Sequence, residues 1–254
     1  MLIPFRRRKA PDDAPSPSVG PDRRIYAIGD VHGRDDLFAQ LLDRIALDEA
    51  DRRPLPRLLI LLGDLVDRGP QSRQVVERAM NLAHAGEDVH FLKGNHEEMF
   101  VAAARGNVRA AALFRRYGGV ETLASYGLEP GQSAGMDDEA IAQWMLAHVP
   151  RDHVDFLDAF PDMLPLGDYL FVHAGVRPRI ALDAQIAADL RWIRGDFLNH
   201  RHHFGKMIVH GHSISDDVDV QPNRIGIDTG AFRSGLLTAI GLEEDRRWFL
   251  QTGA

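Results

Sequence analysis

One arrangement recurs through the 254 residues: a short apolar run that stops at a glycine-flanked polar block. Ile25-Tyr26-Ala27-Ile28 leads into Gly29-Asp30-Val31-His32-Gly33, and Leu58-Leu59-Ile60-Leu61-Leu62 leads into Gly63-Asp64-Leu65-Val66-Asp67-Arg68-Gly69. Val89-His90-Phe91-Leu92 precedes Gly94-Asn95-His96-Glu97, Tyr169-Leu170-Phe171-Val172 precedes His173-Ala174-Gly175, and Met207-Ile208-Val209 precedes His210-Gly211-His212. Unbroken apolar runs of this length read as strands buried on both faces. Helix-period segments, residues 35 to about 50 and 71 to about 85, separate the first three runs, so the front half is strand, helix, strand, helix, strand and the class is α/β. In open α/β sheets ligands bind beyond the carboxyl ends of the strands. All five polar blocks fall at that end.

The remainder is organised differently. Residues 98–160 are rich in Ala and Leu at helical spacing, broken by Gly118-Gly119, Pro130-Gly131 and Pro150, and read as a helical insertion that covers the sheet or caps the site. Three late strands, residues 224–227, 235–242 and 247–251, have no helix signal between them and are expected to form an antiparallel set beside the core. Residues 1–22 combine Arg6-Arg7-Arg8-Lys9 with Pro11, Pro15, Pro17 and Pro21, so a disordered tail is expected ahead of a domain spanning 23–254. That basic run follows its few apolar neighbours and no apolar stretch comes after it, the wrong order for a secretory signal. No run approaches the roughly 20 apolar residues of a membrane span. The expectation is a cytoplasmic protein with no membrane partner. A net charge of −7 also argues against a nucleic acid polymer as partner, because phosphate-backbone binders carry a basic excess.

With no cysteine in the chain, disulfides, a thiol nucleophile and a thiolate metal site are excluded. Any metal must take oxygen and imidazole ligands, which suits manganese, iron, zinc or magnesium. Two divalent ions bridging a phosphate need hard ligands from several strands and one anion able to touch both. Asp64 is the natural bridge; Asp30 and His32 can reach one ion, and Asn95, His173 and His212 the other. His200, His202 and His203 invite a further site, but their spacing does not put all three on one helical face and no carboxylate joins them, so an exposed polar turn is expected.

In type, order and spacing these motifs resemble those of the calcineurin-like metallophosphoesterases, and within them the phosphoprotein phosphatase family, especially its small bacterial and phage members. The resemblance runs from about residue 25 to about residue 242. It implies an αβ-sandwich of two mixed β-sheets with two metal ions, manganese foremost and iron or zinc as alternatives, at the strand ends. It assigns Asp30, His32 and Asp64 to the first ion and Asp64, Asn95, His173 and His212 to the second, leaving His210 a neighbour. It makes His96 the general acid, with Asp67 holding its imidazole. Arg68 and Arg194 resemble the two arginines that bind phosphoryl oxygens, with Arg191 a competing candidate for the second. The implied activity is that of a serine/threonine protein phosphatase, in which metals acidify a bridging water that attacks in line. Asp228-Thr229-Gly230-Ala231-Phe232-Arg233 stands where the eukaryotic enzymes have a tyrosine-containing loop, so their inhibitor and regulatory-subunit binding does not carry over.

A symmetrical diadenosine tetraphosphate hydrolase shares the same metal frame, and is the alternative. Those enzymes typically carry Asn at the place of Asp67 and Asp at the place of Glu97, which puts this chain on the protein-phosphatase side, while Gly69-Pro70-Gln71-Ser72 suits both. The expected substrate is thus a phosphoprotein, or failing that a phosphorylated small molecule. A silent phosphate-binding scaffold would show loss of His96, Asp67 or a ligand, and none is lost.

Overall fold

The computed structural model describes residues 16–129 and 131–253. Strands β1 (Arg24–Ile28), β2 (Arg57–Leu61) and β3 (Val89–Phe91) are parallel, linked by helices α1 (Asp35–Ala50) and α2 (Ser72–His84). The helical stretch follows as α3 (Asn95–Ala104), α4 (Val108–Arg116), α5 (Gly119–Ser125), α6 (Asp138–His148) and α7 (Arg151–Asp158). Next come β4 (Met163–Leu166), β5 (Tyr169–Val172), α8 (Ala187–Trp192), α9 (Gly195–Leu198), β6 (Met207–His210), β7 (Asp219–Val220) and β8 (Arg224–Gly226). The chain closes with α10 (Ala231–Ser234), β9 (Thr238–Glu243) and β10 (Arg246–Gln251). Two five-stranded mixed sheets result, ordered β10-β9-β1-β2-β3 and β4-β5-β6-β8-β7.

Strand periodicity explains the layering. In β1, Ile25 and Ala27 face the second sheet, where they meet Phe171, Val209 and Ile225, while Tyr26 and Ile28 face the helices and meet Phe38, Leu41 and Ile45. Likewise Tyr169 and Phe171 of β5 enter the inter-sheet core, and Leu170 and Val172 pack under Leu190 and Phe197. Because both faces of each sheet are covered, the central strands carry apolar residues without alternation. This is the expected αβ-sandwich. Parallel register, with Ile28 opposite Leu61 and Leu61 opposite Phe91, aligns the three ends of the first sheet. In the second, Phe171 opposite Val209 and His210 opposite Gly226 do the same.

Two expectations need correction. The last strands do not form one antiparallel set: β8 runs parallel to β6 in the second sheet, whereas β9 and β10 complete the first, with α10 between. The chain crosses between sheets after Ile227, whose carbonyl lies so close to Gly29 that a Cβ there would sit 2.5 Å from it. A crossover of so few residues leaves no helical pattern to announce it. The second correction concerns the tail. Residues 1–15 lie outside the described residues, but Val19 is only 8% exposed and packs in the inter-sheet core. Val19 N–H donates to the Glu244 carbonyl at 2.9 Å, and Ser18 O accepts from Asp168 N–H at 2.8 Å. The boundary at 22 is too late because one buried Val among Pro and polar residues shows no period.

Residues 98–160 are predominantly helical among the described residues and pack on the β3 edge, where Phe91 stacks on Phe160 at 5.1 Å. They meet the polar strand ends from the side, through Gly118 and Thr122.

Candidate active site

The loops beyond the strand ends are tied to one another before any side chain is considered. His32 N–H and Gly33 N–H donate to the carbonyls of Asp64 and Leu65, both at 2.8 Å, and Arg68 N–H donates to Gly118 O at 2.8 Å. Glu97 then clamps the second and third loops, its carboxylate accepting from Asp64 N–H and Leu65 N–H at 2.7 Å and Gly94 N–H at 2.9 Å. Packing is close enough that only glycine fits at two points: a Cβ on Gly94 would lie 2.2 Å from Asp64 Oδ1, and one on Gly211 2.0 Å from Asp30 Oδ1.

Among the described residues, two groups of ligand atoms gather, each within 4.8 Å of one another: those of His32, Asp64 and His96, and those of Asp64, His173 and His212. Asp64 belongs to both, as the bridging role requires. Ring orientation is imposed from behind. His32 Nδ1 donates to Val66 O at 2.9 Å, leaving the Nε2 lone pair 3.5 Å from Asp64 Oδ2 with no hydrogen-bond partner. His173 Nδ1 donates to Leu62 O at 2.8 Å, so its Nε2 is an acceptor, yet it faces Asn95 Oδ1 at 3.0 Å and Asp64 Oδ1 at 3.3 Å. His212 Nδ1 completes the group, 3.2 Å from His173 Nε2, while its Nε2 is buried and unpartnered. Acceptors crowding acceptors in a buried pocket repel unless positive charge lies among them. Burial lowers the pKa of His32, with His96 adding to the effect, and of His173; it brings His212, next to His173, to about 2. These imidazoles are neutral and have lone pairs to offer a cation. The donor set therefore fits a pair of divalent cations.

Asp30, expected to share an ion with His32, is buried and falls in neither group of ligand atoms. Its two oxygens accept His212 N–H at 3.2 and 3.0 Å, and burial together with Asp228 and Asp64 pushes its pKa well up. Crowded buried carboxylates of this kind are a further mark of a cation site. Within the first group, His96 Nδ1–H donates to Asp67 Oδ2 at 2.7 Å and Nε2 accepts from Arg68 Nη2 at 3.0 Å. Burial opposes charge on His96, but Asp64 and Asp67 outweigh it and its pKa is raised. Arg194 is exposed, and its charge contributes to the depressed pKa of both His173 and His212. Arg191 is held elsewhere, 2.6 Å from Asp162 and 3.3 Å from Glu98. His210 is buried against Phe197 and outside both groups. His202 and His203 are exposed and His200 is half-buried, in a turn with no metal-competent grouping among the described residues.

Three contributors were not anticipated. Thr122 Oγ1 donates to Asp67 Oδ1 at 2.8 Å, fixing the carboxylate that holds His96. Phe232 packs edge-on to His32 at 5.5 Å, with the Arg68 guanidinium 5.0 Å from its ring centroid. Asp228 is buried beside Asp30, with Oδ1 accepting Gly230 N–H at 2.9 Å and Oδ2 unpartnered, and burial pushes its pKa up to about 6. Asp228 had a signal: Arg224-Ile225-Gly226-Ile227 ends on Asp228-Thr229-Gly230, the same run-then-polar pattern as the other blocks.

Two mixed sheets with an Asp–His–Asn cluster at aligned strand ends define a metal-site phosphoesterase architecture. Residues 23–230 match the calcineurin-like phosphoesterase family, and the chain belongs to it. It is 34% identical to a symmetrical bis(5'-nucleosyl)-tetraphosphatase of Paracidovorax citrulli over 178 residues, 68% of this chain and 53% of that protein. The chain thus spans about half the length of that relative. It is 25% identical to an asymmetrical bis(5'-nucleosyl)-tetraphosphatase of Anoxybacillus flavithermus, over 85% of this chain and 89% of the other. A solved structure described as a candidate diadenosine tetraphosphatase shares the fold with a TM-score of 0.61 at 18% identity, covering 90% of this chain and 93% of its own.

Proposed function

We propose that this chain hydrolyses a phosphate ester or anhydride with the help of two divalent cations, and that its substrate is a dinucleoside polyphosphate. The observation that carries the chemistry is Asp64 shared between two groups of buried imidazoles, of which His32, His173 and His212 are held neutral. The substrate class rests on the names of the relatives, and it reverses the order of the two readings drawn from sequence, where a phosphoprotein came first. His32, Asp64, Asn95, His173 and His212 would hold the cations, with Asp30 alongside. When bound, such ions neutralise phosphoryl charge and acidify water at the site.

The protein's own groups supply the rest. Arg68 and Arg194 bind the non-bridging oxygens through planar forks. With Nε2 protonated, as its raised pKa favours, His96 gives that proton to the leaving oxygen, while Asp67 and Thr122 keep Nδ1–H aimed backward and Nε2 forward. Arg68 contacts that same Nε2, so a phosphoryl group that draws Arg68 away also frees His96 to act.

The phosphoprotein reading keeps one observation in its favour: the Asp67 carboxylate at 2.7 Å supports a charged His96, and an alkoxide from Ser or Thr needs that proton most. Its other support is gone, because the Glu97 carboxylate is engaged by three backbone N–H groups. The deciding experiment is kcat/KM with manganese for diadenosine tetraphosphate and for a phosphothreonine peptide. A tenfold or greater advantage for the dinucleotide is expected; the reverse would restore the protein phosphatase.

A further inference from the structure

Resting on the dinucleotide reading, we infer that Tyr117 and Trp192 form a stacking platform for a nucleobase at the mouth of the phosphoryl site. The two rings come from distant segments, the end of α4 and the end of α8, and meet edge to face at 6.5 Å with planes 68° apart. Tyr117 is 41% exposed and Trp192 half-buried, so their outer faces are accessible. Each is joined through the backbone to an arginine assigned to the phosphate. Gly118, next to Tyr117, accepts Arg68 N–H at 2.8 Å and lies so near that a Cβ there would be 2.7 Å from Arg68 Cγ. Trp192 stands two residues before Arg194.

Trp192 is also held in place. Its Nε1–H donates to Glu98 Oε2 at 3.0 Å, and Arg191 braces the same carboxylate at 3.3 Å, so the edge of the indole is anchored and a face is left for contact. The Arg116 guanidinium lies 5.8 Å from the Tyr117 ring centroid, adding a cation beside the aromatic face.

The chemistry selects the occupant. Arg68, tied to Gly118, and Arg116, beside the Tyr117 ring, offer positive charge to a polyanion next to π-faces that can meet a flat heterocycle, the combination that binds nucleotides by stacking. An extended peptide would instead need main-chain donors and acceptors from a strand edge, and the indole N–H is already engaged. The platform thus fits the base at one end of a dinucleoside polyphosphate whose phosphates lie across the two arginines.

Calorimetry on the metal-loaded full chain tests this by comparing a non-hydrolysable adenosine triphosphate, with a methylene between its outer phosphates, against inorganic tripolyphosphate. The wild type should bind the nucleotide about tenfold more tightly or better. Tyr117→Ala and Trp192→Ala should each remove most of that margin while leaving tripolyphosphate affinity within about twofold, and Tyr117→Phe should keep it. Equal affinity of the wild type for both ligands, or a margin that survives both alanine variants, overturns the platform. Turnover separates this from the reading beneath it. A wild type that hydrolyses diadenosine tetraphosphate without the margin keeps the substrate and loses the platform, and one with the margin but no dinucleotide turnover does the opposite.

Discussion

Shortening Glu97 to Asp tests whether this residue selects substrate or only braces the loops. The carboxylate accepts from Asp64, Leu65 and Gly94 N–H at 2.7, 2.7 and 2.9 Å, and all three residues are buried. Removing one methylene draws the oxygens back by about one bond length, ~1.5 Å, enough to break at least one of these bonds. A buried donor left unpaired costs about 1–3 kcal/mol, so the loss of one or two gives about 1–6 kcal/mol. At about 2–4 °C per kcal/mol for a chain of this size, the melting midpoint should fall by about 2–24 °C. The ratio of kcat/KM for diadenosine tetraphosphate to that for a phosphothreonine peptide should stay within about threefold, since no Glu97 oxygen is free to meet a ligand. Scanning calorimetry and the two rate measurements decide the matter. A midpoint unchanged within 2 °C on the temperature scale of that relation, with a ratio moved tenfold or more, would refute the reasoning and make Glu97 a specificity residue.

Asp64→Asn should lower bound manganese from two ions per chain to at most one by elemental analysis, because the bridging anion is lost; retention of both would remove Asp64 from the bridge. His96→Asn should keep both ions yet slow turnover of esters with poor leaving groups by about 10²–10⁴-fold, and of p-nitrophenyl phosphate much less. Equal losses on the two would argue against a proton-donor role. Deleting residues 1–22 removes the buried Val19, worth about 1.5–3 kcal/mol, and should lower the melting midpoint by several degrees; an unchanged midpoint would show that Val19 contributes nothing.

Strands, their carboxyl ends and the ligand candidates were legible because burial on both sheet faces writes itself as apolar runs, and a run must stop where polar groups begin. What escaped depended on partners remote in sequence. The membership of β8 turns on a crossing at Ile227 and Gly29, which are nearly two hundred positions apart. Arg194 and Arg191 look alike in sequence until Asp162 and Glu98 are seen to occupy the latter. Glu97 looked like a substrate marker because the tetraphosphate hydrolases typically carry Asp there, but on α3 consecutive side chains point in different directions, and this one points into the loops at Asp64, Leu65 and Gly94. Thr122 sits 55 positions from the carboxylate that it orients, and no local pattern distinguishes it from any helical Thr.

The backbone of the site carries a cost that explains why its loops are so densely cross-tied. Of the seven non-glycine residues with positive φ among the described residues, five belong to the site: His32, Asp64, Asp67, Arg68 and His212. A side-chain-bearing residue held in that region costs about 1–3 kcal/mol, and it persists only where the surroundings over-determine it. Glycine would avoid the strain but could supply no ligand, so each position trades conformational ease for a donor atom. The surroundings here do over-determine them. His32 and Arg68 are pinned through their N–H groups by Asp64 O and Gly118 O, Asp64 by Glu97, Asp67 by Ser72 and Thr122, and His212 by Asp30. Two of these ties, His32 to Asp64 and His212 to Asp30, join residues that themselves carry candidate ligand atoms, so bonds that hold the strain also fix the spacing of those atoms. Removing the cations would leave the strain in place while restoring repulsion among the acceptors around Asp64. Stability and metal content should therefore be coupled in this protein, through the loops and not through the sheets.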